Sequence, residues 1–373
     1  MARTSKTRTR GLTVAGRHAI QDLARQHLQR RWHAGSQLAI YRDGALQLDL
    51  RLGDAAGEDS RLLYFSAIKP VTAIAVLSLV AENRLTLDTP IAELWPEFGQ
   101  GGKQACTVRH VLLHQGGFPV FDPAFDWNRI DDWDAVLAST AAIEAQWEPG
   151  TDTGYHPVTF GFALGEVIRR VAGRSPRAFL HDRIFAPLGM HCSLGVTDPA
   201  EQQRIALPVA MSESTFDDPD GTERRTSAIV ERFRLPATLR AQLPAANGIG
   251  TAEALARFYS MLERRWNNHE DYSGVCPIPH HLVKQVTRVH NAADVDRTSH
   301  LPSSYGLGFL VGGPFPPFNE PDLFGHSGQQ CTIAYADPHR GLAVAYVTNG
   351  LQDPLTVQLR TEEMAATINA ACD

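Results

Sequence analysis

From Val71 to Val80 the chain is apolar almost all the way round a helix, and such a helix is stable only with packed protein on every side. A chain of 373 residues is long enough to supply that surround, as one large domain or as two lobes sharing a cleft. Hydrophobic residues make up 43% and charged residues 20%, the balance of an ordinary globular protein. No run approaches the roughly eighteen apolar residues of a membrane helix. Residues 1–17 carry Arg3, Lys6, Arg8, Arg10 and Arg17 with no acid and no apolar core, so they do not read as a secretory signal. A basic tail over residues 1–18 is expected, ahead of an organelle transit peptide. Net charge is −6 and the other basic residues are scattered, which points to a small-molecule partner rather than nucleic acid or membrane. The five cysteines (Cys106, Cys192, Cys276, Cys331, Cys372) are odd in number and far apart, as expected of reduced thiols in a cytoplasm. Nothing in the pattern specifies an oligomeric state.

Strand signals sit at both ends. A helix over 12–32 is followed by a hairpin from Ser36 to Gly53. There Leu46, Leu48, Leu50 and Leu52 alternate with polar residues, and Asp43-Gly44 supplies the turn. Further strands are predicted over Tyr305–Gly312, Thr332–Ala336 and Leu342–Thr348, the last two joined at Asp337-Pro338, before a final helix to about residue 370. Between the ends the chain is rich in Pro, Asp and Trp. Helices are predicted at 158–172, ending on Gly173, and at Ala252–Arg265. The stretch 211–226, with Asp217, Asp218, Asp220 and Gly221, reads as an exposed loop and lacks the closing Glu of a calcium site. The fold class expected is α+β: an antiparallel sheet flanked by helices, plus a mainly helical lobe. One catalytic domain would span 19–370, with 19–85 and 246–370 forming the α/β lobe and 86–245 the helical one.

The chemistry begins at Ser66-Ala67-Ile68-Lys69. Three-residue spacing puts both side chains on one helical face. A serine hydroxyl needs an adjacent base, and lysine becomes one when burial draws its pKa down from about 10.4. The apolar run that follows provides the burial, and Pro70 is tolerated only near a helix start. In the first helical turn, free N–H groups would also help to hold an oxyanion. The chain has only four lysines (Lys6, Lys69, Lys103, Lys284). Alone, the pair also fits a capping serine and a surface lysine, although the apolar surroundings argue against the latter.

Three further segments extend the pattern: Thr107–Gly117 with His110 and His114, Pro149-Gly150-Thr151 leading to Tyr155-His156, and Phe324-Gly325-His326-Ser327-Gly328. In order and spacing they resemble the β-lactamase-related serine hydrolases, which include class C β-lactamases, D-alanyl-D-alanine peptidases and family VIII carboxylesterases. The resemblance runs from about residue 20 to 365 and implies a β-lactamase/penicillin-binding-protein-like fold. It implies Ser66 as nucleophile, Lys69 as base and Tyr155 as a second acid/base. It also implies a cleft-lining edge strand at His326, Ser327 and Gly328, and an oxyanion hole from the N–H groups of Ser66 and Gln329. No metal or organic cofactor is implied.

Two departures favour neutral esters over β-lactams. His326 stands where many lactamases have lysine, and a mostly neutral imidazole is a weak anchor for a carboxylate. Pro157 stands two residues after Tyr155, where asparagine is common. Cys331 occupies a position that is usually a small glycine. The expected activity is that of a carboxylesterase. The alternatives are an acyltransferase, β-lactamase or D-amino-acid peptidase on the same fold, and a catalytically silent scaffold or binding module. Gly325–Gln329 brushes the Gly-x-Ser-x-Gly elbow but ends in Gln. His110 and His114 have the spacing of metal ligands without a nearby Glu, so capping or packing beneath the cleft is expected. His280-His281 reads as a solvated loop. Trp127, Trp133 and Trp147 are read first as core and second as an acyl pocket.

Overall fold

The computed structural model describes residues 11–213, 215–217 and 223–372. An eight-stranded antiparallel sheet organises the chain. Its strands are β1 (Gly35–Arg42), β2 (Ala45–Gly53), β3 (Asn291–Ala293), β4 (Ser303–Tyr305), β5 (Leu310–Val311), β6 (Phe324–Gly328), β7 (Thr332–Asp337) and β8 (Leu342–Thr348), in the order β2-β1-β8-β7-β6-β5-β4-β3. The N-terminal hairpin therefore pairs directly with the C-terminal strands, Ala39 opposite Ala345. Asp43 and Gly44 both have positive φ, 48° and 80°, the twist that a tight antiparallel turn requires.

The period-2 alternation sorts the two faces. Leu38, Ile40, Ile333, Tyr335, Val344 and Tyr346 form one cluster with helix α1 (Val14–Gln29) and the C-terminal helix α5 (Pro354–Ala370). On the other face Ala39, Ala334, Ala336, Ala343 and Ala345 form a stripe of small residues. That stripe lets α4 (Ala252–Trp266) lie close, with Leu255, Phe258, Tyr259 and Leu262 fully buried. Next in the same cluster is α2 (Lys69–Ala81), with every residue from Lys69 to Leu79 buried, as its apolar sequence demands. Helix α3 (Thr159–Ala172) ends on Gly173 at φ 68°, whose N–H bonds to the Arg169 carbonyl.

Several boundaries differ from those read in the sequence. Helix α1 starts at Val14, capped by Thr13, so residues 14–18 are helical; residues 1–10 lie outside the described residues. Tyr305–Gly312 is not one strand. Its chain folds in at Gly306-Leu307-Gly308, where the Gly308 N–H bonds to Leu112 O at 2.9 Å and a Cβ on Gly308 would lie 2.3 Å from that of Ala73. His280 and His281 open a short helix, His280–Val286. Thr215–Asp217 and Glu223–Arg225 pair as a small hairpin, while Asp218, Asp220 and Gly221 lie outside the described residues.

A smaller antiparallel sheet carries Ser66. Leu62–Leu63 pairs with Gly248–Gly250, which pairs in turn with Cys192–Leu194. Strand β6 presses on the turn that follows: a Cβ on Gly328 would stand 2.2 Å from Tyr64 O and 3.2 Å from Phe65 Cβ. The backbone oxygen cannot swing away as a flexible side chain would. Gly328→Ala is therefore expected to cost about 2 kcal/mol of stability, read as a lower urea midpoint. A midpoint equal to that of the parent would contradict this contact.

Candidate active site

Phe65 and Ser66 occupy a single turn of 3-10 helix ahead of α2. Phe65 has φ 48°, an uncommon conformation for a residue with a bulky side chain. Its ring is held against Phe233, with centroids 4.7 Å apart, and it is buried. The preceding Tyr64 is tied down by its N–H to Gly248 O (2.8 Å) and by its hydroxyl to Thr251 O (2.7 Å). Within a segment that is otherwise buried from Leu62 to Leu79, Ser66 alone is half-buried. It sits at the end of the buried helix with its side chain near solvent.

Lys69 is fully buried. Its Nζ lies 3.1 Å from Ser66 Oγ, 2.8 Å from Pro157 O and 3.1 Å from Ala245 O. It also stands over the rings of Tyr155 and Phe160, 4.8 and 5.7 Å from their centroids. Burial drives its pKa well below the usual lysine range. Two of the three partners are carbonyls, which only accept. The third is a hydroxyl, which can accept or donate. A neutral amine can therefore keep both carbonyls satisfied and turn its lone pair to the Ser66 hydroxyl.

Among the described residues a second lysine is fully buried, and it makes the contrast. Lys103 is surrounded by Gln100 O, Ala141 O and Ile143 O, all acceptors, so its three N–H groups are all engaged and it serves as a structural tie.

Tyr155 closes the second side, and its hydroxyl is hydrogen-bonded to Ser66. Burial, and then the negative charge of Asp296, raise its pKa above the ordinary phenol value, with the Ser66 contact working in the opposite sense. Nothing in the sequence marks Asp296. This wholly buried carboxylate accepts the N–H groups of Tyr155 (3.0 Å), Thr298 (2.9 Å) and Ser299 (3.0 Å), and the Tyr305 hydroxyl (3.0 Å). The 291–301 loop thus clasps the Tyr155 segment, with help from Asn291 on Thr153 and Arg297 on Asp152. The Lys69 acceptors Pro157 and Ala245 carry no sequence signal either, since both act through backbone carbonyls.

The histidines divide by role. His110 forms a capping box with Thr107. His114, at φ 59°, accepts the His156 N–H on Nδ1 at 3.0 Å and packs against Tyr155, Phe160 and Tyr305. His156 donates from Nδ1 to Gly154 O (2.6 Å) and accepts the Phe118 N–H on Nε2 (3.2 Å), so its tautomer is fixed. All three are capping or packing groups beneath the cleft. Among the described residues, no His, Cys, Asp or Glu group of three or more is arranged to hold a metal ion.

On β6, His326 donates from Nδ1 to Ser327 O at 2.6 Å and is buried, leaving Nε2 without a hydrogen-bond partner. Burial, and then the Lys69 charge, push its pKa down to about 3, so at neutral pH it offers a lone pair and no cation. Its ring centroid is 6.1 Å from that of Tyr155. Ser327 is exposed and Gln329 half-buried. Cys331 is buried in the cluster with Phe65 and Phe233, and burial raises its thiol pKa to about 12. Trp147 is buried core, its ring edge-on to His156, while Trp133 donates to Glu166 and Trp127 packs on Phe233.

A β-lactamase family model matches residues 20–368, and the chain belongs to that family. It is 30% identical over 346 residues to the esterase/beta-lactamase LipL of Mycobacterium tuberculosis, an alignment covering 87% of this chain and 79% of that one. A penicillin-binding protein homologue from Caulobacter crescentus superimposes with a TM-score of 0.81 at 30% identity, over 98% of this chain and 100% of that one. EstA from Arthrobacter nitroguajacolicus Rue61a shares the fold, with a TM-score of 0.80 at 24% identity over 98% and 99% of the two chains. The protein is thus a member of a serine-hydrolase family of the β-lactamase fold with esterase relatives. Among its described residues no helix is long and apolar enough to cross a membrane.

Asp296→Ala would strand three backbone N–H groups and one hydroxyl in a buried site. It is expected to lower stability by about 3 kcal/mol, measured by chemical denaturation, and to expose the 291–301 loop to limited proteolysis. Parent-like resistance to both would show that the carboxylate does not hold this loop.

Proposed function

We propose that the protein hydrolyses carboxylic esters through an acyl-enzyme on Ser66. The observation that carries this reading is the buried Lys69 Nζ, 3.1 Å from Ser66 Oγ, with its other partners both carbonyls. Ser66 Oγ attacks the ester carbonyl carbon as its proton passes to neutral Lys69. The oxyanion formed is held by the N–H groups of Ser66 and Gln329. When the C–O bond breaks, the Tyr155 hydroxyl protonates the departing alkoxide and Lys69 returns its proton to the phenolate. Both groups end as they began. Water then attacks the acyl-enzyme by the same relay, giving the acid and free Ser66. The raised pKa of Tyr155 suits this role, because the phenol stays protonated until a strong base forms beside it.

Neutral substrates fit better than carboxylate-bearing β-lactams. His326, pushed down to about 3, presents an unpartnered acceptor where an anionic substrate would need a donor or a positive charge.

Mixing the protein with a p-nitrophenyl acyl ester is expected to give a covalent adduct by intact mass, absent in Ser66→Ala. Full hydrolysis by Ser66→Ala would overturn the assignment. Tyr155→Phe is expected to lose about 10²- to 10⁴-fold in kcat. Because Lys69 must be neutral, kcat/KM should rise with pH through its depressed pKa and then level, with no limb from His114, His156 or His326 near pH 6.5. An acid limb near 10.4 would contradict a lysine base. Short-chain esters should outpace a chromogenic cephalosporin, and a dominant cephalosporin rate would instead support a lactamase. Adding acceptor alcohols or amines would reveal a transferase through products other than the free acid.

A further inference from the structure

Arg360 is a buried cation that the Ser66 relay does not use. It projects from α5, is 3% exposed, and among the described residues is paired with no carboxylate. Burying a guanidinium without an anion is costly, and its donors end on neutral groups: Trp32 O (3.2 Å), Thr348 Oγ1 (3.3 Å) and Gln330 O (2.9 Å). Two of these three lead to one turn. Gln330 belongs to the turn between β6 and β7, and the Thr348 hydroxyl donates to Cys331 O at 2.9 Å. In that turn Gln330 sits at φ 51° with a full side chain, a left-handed conformation that is unfavourable for a residue with a Cβ.

The connectivity runs further. In a trans peptide the carbonyl and the N–H point in opposite directions from one rigid plane. The plane gripped at Gln330 O carries the Cys331 N–H, which donates to Gly328 O at 3.1 Å. The Gly328 carbonyl shares its own plane with the Gln329 N–H. A guanidinium thus stands at the head of a hydrogen-bonded chain of two peptide groups, with the Gln329 N–H at its tail. We propose that Arg360 is the positioning residue of the oxyanion hole, orienting and polarising the Gln329 N–H toward the ester carbonyl oxygen from the far end of this chain. Successive hydrogen bonds strengthen one another in a medium of low dielectric, so the cation makes the terminal N–H a better donor. The inference rests on the reading of Ser66 as nucleophile.

The test compares the parent with Arg360→Met and Arg360→Lys. kcat is expressed per active site, counted by stoichiometric labelling of Ser66 with a fluorophosphonate. The expected result is a fall in kcat of about 10- to 100-fold, with KM changed by no more than about threefold. Affinity for an arylboronic acid, which forms an anionic tetrahedral adduct on serine, should weaken in step with kcat/KM. Guanidinium ion should restore part of the rate in Arg360→Met and none in the parent. Arg360→Lys keeps the charge and most of the volume, so it decides the matter if Arg360→Met does not fold. Variants that lose activity only through fewer labelled sites, or that keep parental kcat per site and boronate affinity, would overturn the proposal. A parent that takes no label on Ser66 would instead remove the esterase reading itself, a separate and distinguishable result.

Discussion

Taking a lysine side chain out of water costs several kcal/mol unless the group sheds its proton or finds enough acceptors. The two lysines buried among the described residues take different ways out. Lys103 is ringed by three carbonyls and ties Gln100 to the end of the Trp133–Ala142 helix. Lys69 has two carbonyls and the Ser66 hydroxyl, and on the proposed reading that one difference makes it a proton acceptor rather than a structural tie. The rest of the molecule is arranged to keep this environment dry. Helix α2 must be surrounded, and the sheet, α4 and the residues around Pro244 and Ala245 surround it.

The site is assembled from segments far apart in sequence, and each is fixed by backbone contacts. The Ser66 turn hangs from Gly248, Tyr155 from Asp296, and Lys69 from the carbonyls of Pro157 and Ala245. Glycine at 328 lets β6 approach the Ser66 turn to a distance that no side chain allows. Backbone atoms move little once their hydrogen bonds are made, so the geometry is set before substrate arrives. Catalysis by preorganised dipoles needs this property.

Much of this was legible in the sequence because it rests on pattern. The alternating leucines of β2, the Asp43-Gly44 turn, the buried run of α2 and the Gly173 cap each have a local physical cause, and each element forms near its expected place. Ser66, Lys69 and Tyr155 come together as the family resemblance implies. The unreadable parts work through long-range backbone contacts. Tyr305–Gly312 reads as a strand by composition, but the chain turns in at Gly308 because α2 lies beneath it. Pro157 looked like a lost amide, yet its carbonyl holds Lys69. Asp296 and Arg360 have no flanking motif, since the contacts that tie them to the site, Tyr155 to Asp296 and Gln330 to Arg360, join segments 141 and 30 residues apart.

The protonation state of Lys69 decides whether it can take the Ser66 proton. With only four lysines in the chain, a nitrogen-detected titration of the ammonium and amine groups is tractable, and the Lys69 signal is identified by its loss in Lys69→Met. That signal is expected to titrate well below the ordinary lysine value of about 10.4. A Lys69 signal that stays protonated up to that value would contradict the amine as the base for Ser66.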